Sequence, residues 1–480
     1  MEDKKAETEG SPPVLENQEA EQATNPFTLQ PFSQPFPPEI INTIIEILLN
    51  DEPPSPWTSE DDFPALHITP IRLVCRAWNQ WTVSNPALWT RFFFKLEAGK
   101  LEWVQAQTKI GEIQMSRSGN HGLHLYISGW GSASEDSAAS VEPFISFILQ
   151  SSDRWASINI FGIAFEWLFA SLVGPDGTRT RWSTLHTLNV SYCSLVSDGE
   201  LSLPTSHFPF LRAIHIHKTY DRVLSWKLPW TQLTHLTISE DTRSLNENLQ
   251  VLSQCTNLES LALIAKPYDD ETSPLWTRVV VPNLSNFKLA ITFADQRSLL
   301  EDVLPRLVFP RLRSLELHES CVDLEAPTDS SPPIQLLCKI VENSECELQL
   351  LHLHLLDESR RPPQHESALS ALLQRTQRTL RTVVLDGIGF TGSCLRGFQP
   401  ECLEDFVVQD LFPEIEDKMH LNLARWLRSQ IRREGGRERC QKMKTTFHSQ
   451  DEDFAVCQEW KRLEEEGYPL SIVPVTPLDA

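Results

Sequence analysis

The apolar positions of this chain change period along its length. In PPEIINTIIEILLN, Ile40, Ile44, Ile45 and Leu48 recur at i, i+4, i+5 and i+8, with Leu49 beside them. That spacing predicts a helix with a broad apolar face, entered through prolines that suit a helix start. A second helix is predicted from Pro70 to Val83, with Arg72, Arg76 and Gln80 as one polar ridge at spacing four. Ile71, Leu73, Val74, Cys75, Ala77, Trp78 and Trp81 cover most of its remaining circumference. Asn85-Pro86 stops this helix and PALW begins another short turn. Three short helices cannot bury so much apolar surface among themselves, so part of it is predicted to face another domain or another protein.

From residue 123 the period falls to two. LxxLxL segments read LHTLNV (185–190), LRAIHI (211–216), LTHLTI (233–238), LESLAL (258–263) and LSNFKL (284–289). They continue as LRSLEL (312–317), LQLLHL (348–353), LRTVVL (380–385) and LEDFVV (403–408). LHLYI at 123–127 and WASINI at 155–160 are degenerate earlier copies. The nine clear copies start 22 to 36 residues apart, a period that predicts a stacked repeat. Leucines at helical spacing lie between the strands, as at Leu245, Leu249 and Leu252 and again at Leu299, Leu300, Val303, Leu304 and Leu307. The fold class expected is α/β, with one strand and one helix per repeat and a parallel sheet lining a curved solenoid.

Charge adds a boundary. The first 62 residues carry fourteen acids against two lysines, within a net charge of −23. Residues 1–35 are therefore expected to be a disordered acidic, Pro-rich arm, and 51–69 an acidic loop between the first two helices. The balance argues against general nucleic-acid binding, which needs a basic footprint. No run of about 18 uncharged apolar residues predicts a membrane span, and the polar N-terminus argues against a secretory signal. Ten scattered cysteines without a CxxC pair suit reduced structural thiols, so a cytoplasmic or nuclear location is expected. The boundaries that follow are a helical domain over 36–92, repeats over 93–412, and a C-terminal capping helix with a tail over 413–480. The cap is placed on Met419, Leu423, Trp426, Leu427 and Ile431, with Arg425, Arg428, Arg432 and Arg433 opposite.

Two sets of residues resemble a known family. FPPEI (36–40) resembles the LPxEI opening of the F-box, IRLVCRAWNQW its second helix, and SNPALW (84–89) its closing turn. Phe36 stands where that opening usually has leucine, and the acidic loop is longer than the usual connection. The repeats resemble the irregular leucine-rich type of F-box proteins, with LPWTQLTHLTI and CTNLESLAL resembling the large F-box families of mushroom-forming fungi. The resemblance implies a three-helix unit that docks on the Skp-type adaptor of a cullin-RING ubiquitin ligase. Pro37, Ile40, Leu48, Val74, Trp78, Leu88 and Trp89 are the positions it assigns to that contact. It also implies a substrate-recognition subunit of an SCF-type ligase, with a target protein held on the repeats. The alternative is a leucine-rich-repeat interaction scaffold without a ligase.

Strand alternation sorts each repeat into buried and exposed columns. It places His215, His217, Lys288, Glu316, His318, His352 and His354 on the solvent-facing, concave side, where such solenoids bind partners. The pairs 215/217 and 352/354 lie five repeats apart, roughly 20 to 25 Å at sheet spacing, too far to share one ion. Neither pair has an obvious third and fourth ligand beside it in sequence, so no metal is expected. GIGFTG (387–392) follows a strand but opens no helix, and predicts a repeat turn rather than a dinucleotide site. GxSxG, HExxH and Walker A motifs are absent. The chain is expected to be no enzyme and to need no cofactor.

Overall fold

A computed structural model describes residues 72–97, 101–130, 135–162, 182–191, 206–217, 228–239, 245–265, 278–291, 303–319, 333–355, 363–386, 392–409, 422–430, 444–449 and 470–474, with positions 40, 43, 168, 172, 301, 462, 463 and 465. The strands in chain order are β1 (Arg91–Glu97), β2 (Leu123–Trp130), β3 (Trp155–Phe161), β4 (Thr187–Ser191), β5 (Ala213–His217), β6 (His235–Ser239), β7 (Ser260–Ala265) and β8 (Val279–Val280). They continue with β9 (Asn286–Ile291), β10 (Leu307–Val308), β11 (Ser314–Glu319), β12 (Leu350–Leu355), β13 (Thr382–Asp386), β14 (Asp405–Gln409), β15 (Lys444–Ser449) and β16 (Leu470–Pro474). β8 and β10 pair with each other, and the other 14 form one sheet in chain order. Each neighbouring pair in that sheet is parallel, and the two ends, β1 and β16, do not meet. The α/β class and the parallel sheet are as the apolar period predicts.

Parallel neighbours require crossover connections. Helices α2 (Leu101–Arg117), α3 (Glu135–Gln150), α4 (Leu245–Gln254), α5 (Pro333–Ser344) and α6 (Pro363–Thr376) supply five of them, after the N-terminal α1 (Arg76–Ser84). Along β12 the exposure alternates, so Leu351, Leu353 and Leu355 are buried while His352 and His354 are half-buried. The buried column of each strand joins the apolar faces of the helices in one continuous core, from Phe92 to Leu427 and Leu463. Truncating one such buried leucine to alanine costs about 2 to 5 kcal/mol. Aromatic rings thicken the core at its N-terminal end, where Phe92 meets Trp155 edge-on at 5.2 Å and Phe94 meets Phe144 at 4.8 Å. Gly111 of α2 lies against the rings of Phe94 and Phe147, where a Cβ would come within 2.9 and 3.0 Å of them.

Register is held where the strands begin. The amide of Thr234 donates to Arg212 O, that of Glu259 to Thr234 O, that of Ser285 to Glu259 O and that of Arg313 to Ser285 O, at 2.8 to 2.9 Å. Gln349, Arg381 and Glu404 extend the same ladder. Every LxxLxL copy therefore enters the sheet at the same height, and equivalent positions line up across it.

Two boundaries differ from the sequence expectation. The helix predicted over Pro70 to Val83 is interrupted at Cys75, whose backbone is extended (φ −162, ψ 172). Its carbonyl accepts from Asn79 N at 3.0 Å and so opens α1, while Arg72 Nε donates back to Asn79 Oδ1 at 2.9 Å. The polar ridge of Arg72, Arg76 and Gln80 is thus split between two turns. The sheet also runs past residue 412, since β14 pairs with β15 and β15 with β16. KTTFHS and LSIVP lack the LxxLxL spacing, because main-chain pairing needs no particular side chain. The helical residues 422–430 consequently lie between strands of one sheet rather than at its end. Leu423, Trp426 and Leu427 are buried as predicted, with the Trp426 ring stacked on Phe398 and its Nε1 donating to Phe398 O at 2.9 Å. Met419, Ile431 and the arm at 1–35 lie outside the described residues, as does the loop at 51–69.

Candidate functional site

The face of the sheet opposite the buried column carries the polar side chains. One cross-strand row runs Asn189, His215, Thr237, Ala262, Lys288, Glu316, His352 and Val384 in direct register. His215, Lys288, Glu316 and His352 therefore share one column, as alternation and repeat phase predict. The next row places His217, Ser239, Ile264, Ala290, His318, His354 and Asp386 beside it. Ala262, Ile264 and Ala290 interrupt both rows, so the polar residues fall into two groups.

The first group sits on β5 and β6. His215 Nδ1 pairs with Thr237 Oγ1 at 2.9 Å, and His217 Nδ1 with Ser239 Oγ. Burial, and then the nearby His235, pull the His215 pKa down to about 4, so its imidazole is neutral at physiological pH. His217 is only 2 % exposed, which corrects its predicted place on a solvent-facing surface. Alternation sets the side to which a side chain projects, but not what other chain lies over it.

The second group spans β9, β11, β12 and β13. Glu316 Oε2 lies 3.7 Å from Lys288 Nζ and 3.6 Å from His318 Nε2. The His318 ring meets those of His352 and His354, each at 5.3 Å between centroids. His354 Nδ1 donates to Asp386 Oδ2. The imidazole of His318 beside it holds the Glu316 carboxyl below its ordinary range, against burial and with help from Lys288 and His352. Burial, and then His318, push the His352 pKa down. Glu316, His318 and His352 offer ligand atoms that all lie within 4.8 Å of one another. The structure thus brings Lys288, Glu316, His318 and His352 together, adds His354 and Asp386, and leaves His215 and His217 apart. The expectation that the pair 352/354 lacks neighbouring ligands is corrected. A strand 36 residues earlier, in LRSLELHE, supplies them through register, and the repeated His at alternate positions is the signal the sequence offers.

At the N-terminal end, apolar side chains face outward. Leu73 is 78 % exposed, Val74 64 % and Ile40 45 %, while Trp78 is half-buried. Leu88 and Trp89 are instead buried. Trp89 Nε1 donates to Thr82 O at 2.8 Å, and the guanidinium of Arg117 lies over its ring at 4.4 Å. Pro37 and Leu48 lie outside the described residues. Helix α2 adds exposed Trp103, Ile110 and Ile113, which the apolar periods of the sequence do not mark.

A second feature absent from the sequence-based expectation is a polar groove of about 510 Å³ along the strand entries. Arg212, Arg311 and Arg313 face it together with Glu259, Asn257 and Asn283. Arg311 donates to Asn283 Oδ1 at 2.9 Å, so part of this row is already committed to internal bonds. Burial raises the thiols of Cys338 and Cys346 to about 11 and that of Cys255 to about 12, which keeps them protonated and unreactive. Among the described residues no helix is long and apolar enough to cross a membrane. No protein-family model matches the chain, and no curated protein matches it.

Proposed function

We propose that this protein is the target-recognition subunit of an SCF-type ubiquitin ligase. In this reading the N-terminal helices are an F-box unit bound to a Skp-type adaptor, and the sheet is the concave face of a leucine-rich-repeat solenoid that holds a target protein. The observation that carries the reading is the exposure of Leu73 and Val74 on a segment whose sequence, IRLVCRAWNQW, resembles the second F-box helix. Apolar side chains left in water by the chain's own fold are an interaction surface in search of a partner. Ile40, Val74 and Trp78 are the adaptor contacts proposed among the described residues. Leu88 and Trp89 support the unit from within, since both are buried in the chain's own fold. The target face is the row of Lys288, Glu316 and His352 with His318 beside it, where mixed charges suit a polar protein ligand. The subunit performs no covalent step and acts by raising the effective concentration of target near the ligase.

Co-expression of the full chain with a Skp-type adaptor tests this directly. A stable complex is expected, and Val74→Asp with Leu73→Asp should weaken it by at least about tenfold, that is about 1.4 kcal/mol. The melting temperature of the isolated chain should stay unchanged, since both side chains are exposed. A chain that purifies free of the adaptor at saturating concentrations would favour the interaction scaffold instead.

A further inference from the structure

We propose that Glu316, His318 and His352 form a binding site for a divalent transition-metal ion of the zinc class on the open face of the sheet. The inference is independent of the ligase reading and rests on how β11 and β12 align. Glu316 and His318 project from one strand at i and i+2, and His352 stands directly opposite Glu316 on the next. Parallel pairing thus delivers two imidazoles and one carboxylate to a single point, with their donor atoms within 4.8 Å of one another. Around a zinc ion at about 2.0 to 2.2 Å from each ligand, donor atoms stand roughly 3.4 Å apart. The 3.6 Å between His318 Nε2 and Glu316 Oε2 is close to that spacing.

The state of His318 points the same way. Its Nε2 is screened from solvent and has no hydrogen-bond partner. At 3.6 Å the Glu316 carboxylate is too distant to accept a hydrogen bond from it. A cation held between Glu316, His318 and His352 would satisfy this nitrogen. His352 stands directly opposite Glu316 across the parallel pair, so its imidazole reaches the same point from the neighbouring strand. His354 packs against the His318 ring and is itself fixed by Asp386, so the ligand array has lateral support of the kind that orients metal-bound imidazoles. Two nitrogens and one oxygen select zinc, copper or nickel over calcium or magnesium, which prefer all-oxygen shells. Three protein ligands on an open face leave a fourth position for water.

Lys288 works against the ion, because its ammonium lies 3.7 Å from Glu316 Oε2. It is half-exposed and sits on a flexible stem, so it can yield the carboxylate. Its removal should therefore strengthen metal binding.

The test uses the full chain without an affinity tag, dialysed against a chelator and titrated with zinc chloride by calorimetry. One equivalent is expected to bind. His318→Ala and His352→Ala should each weaken binding at least tenfold, Lys288→Met should tighten it, and His215→Ala should leave it unchanged. Cobalt(II) added to the wild-type chain gives a second readout that needs no variant. It should produce visible absorption of a four- or five-coordinate ion and broaden the ring-proton signals of His318 and His352. Failure of the folded wild-type chain to bind zinc saturably overturns the site. So does binding that survives both histidine substitutions, or a cobalt effect confined to other histidines.

Discussion

Two strands of this sheet carry the same His-x-His pattern and behave differently. On β5, His215 and His217 face hydroxyl groups of β6, and each ring is paired with one of them, Thr237 or Ser239. On β12, His352 and His354 face Glu316 and His318 on one side and Asp386 on the other. The motif is identical, the side of the sheet is identical, and so is the alternation. Neighbouring strands decide whether two imidazoles become hydrogen-bonding partners of hydroxyl groups or part of a cluster of charge and ligand atoms. A histidine pair read in one strand alone has no assigned chemistry.

The comparison breaks most sharply with metal. At a free zinc concentration about 1,000 times its dissociation constant, the wild-type chain should gain about 4 kcal/mol of stability. His352→Ala should abolish the gain in melting temperature, whereas His215→Ala should preserve it. Equal loss from both substitutions would mean that the two strands are equivalent after all.

Removing the anchors of the two pairs gives the next effect. Asp386→Ala leaves His354 without its carboxylate and should cost about 1.5 to 3 kcal/mol, as bonds to charged groups do. Ser239→Ala removes a neutral partner from His217 and should cost about 0.5 to 1.5 kcal/mol. Chemical denaturation of both variants measures the difference, and a reversed order would undo the distinction between the groups.

Acid sharpens the contrast from the side of β5. The folded pKa of His215, about 4, lies below its ordinary value of 6.5, so the unfolded chain takes up the proton first. Its contribution is therefore fully present above about pH 6.5 and is lost as pH falls toward 4. His215→Gln should remove about 2 to 3 kcal/mol from the fall in stability between those limits. Melting curves of the two proteins from pH 7 to pH 4 should converge on the acid side. Parallel curves would show that His215 remains protonatable in the fold.

The smallest effect belongs to the Lys288 and Glu316 pair, which is partly solvated on both sides. Lys288→Glu should change stability by no more than about 1 kcal/mol, since such surface pairs contribute little. In the proposed ligase it should nevertheless weaken target capture without touching adaptor binding. A loss of several kcal/mol would show that the pair is structural.

What the chain determines alone is the part of the fold governed by local periods. Leucine at alternate positions in LTHLTI or LRSLEL sets strand, buried side and repeat phase, because burying every second side chain requires no knowledge of the partner strand. The same reasoning placed His215, Lys288, Glu316 and His352 in one column, since equal phase in parallel strands means equal height. It also put Leu423, Trp426 and Leu427 on a buried helix face. The break at Cys75, the burial of Leu88, Trp89 and His217, and the two strands beyond residue 412 came from tertiary structure. Each depends on what packs above a residue or which backbone lies next to it, and neither is encoded in a residue's own spacing. The cluster of Glu316, His318 and His352 belongs to this second class. Its three members span 36 positions of the chain, from Glu316 to His352, and only strand pairing converts that separation into one set of converging ligand atoms.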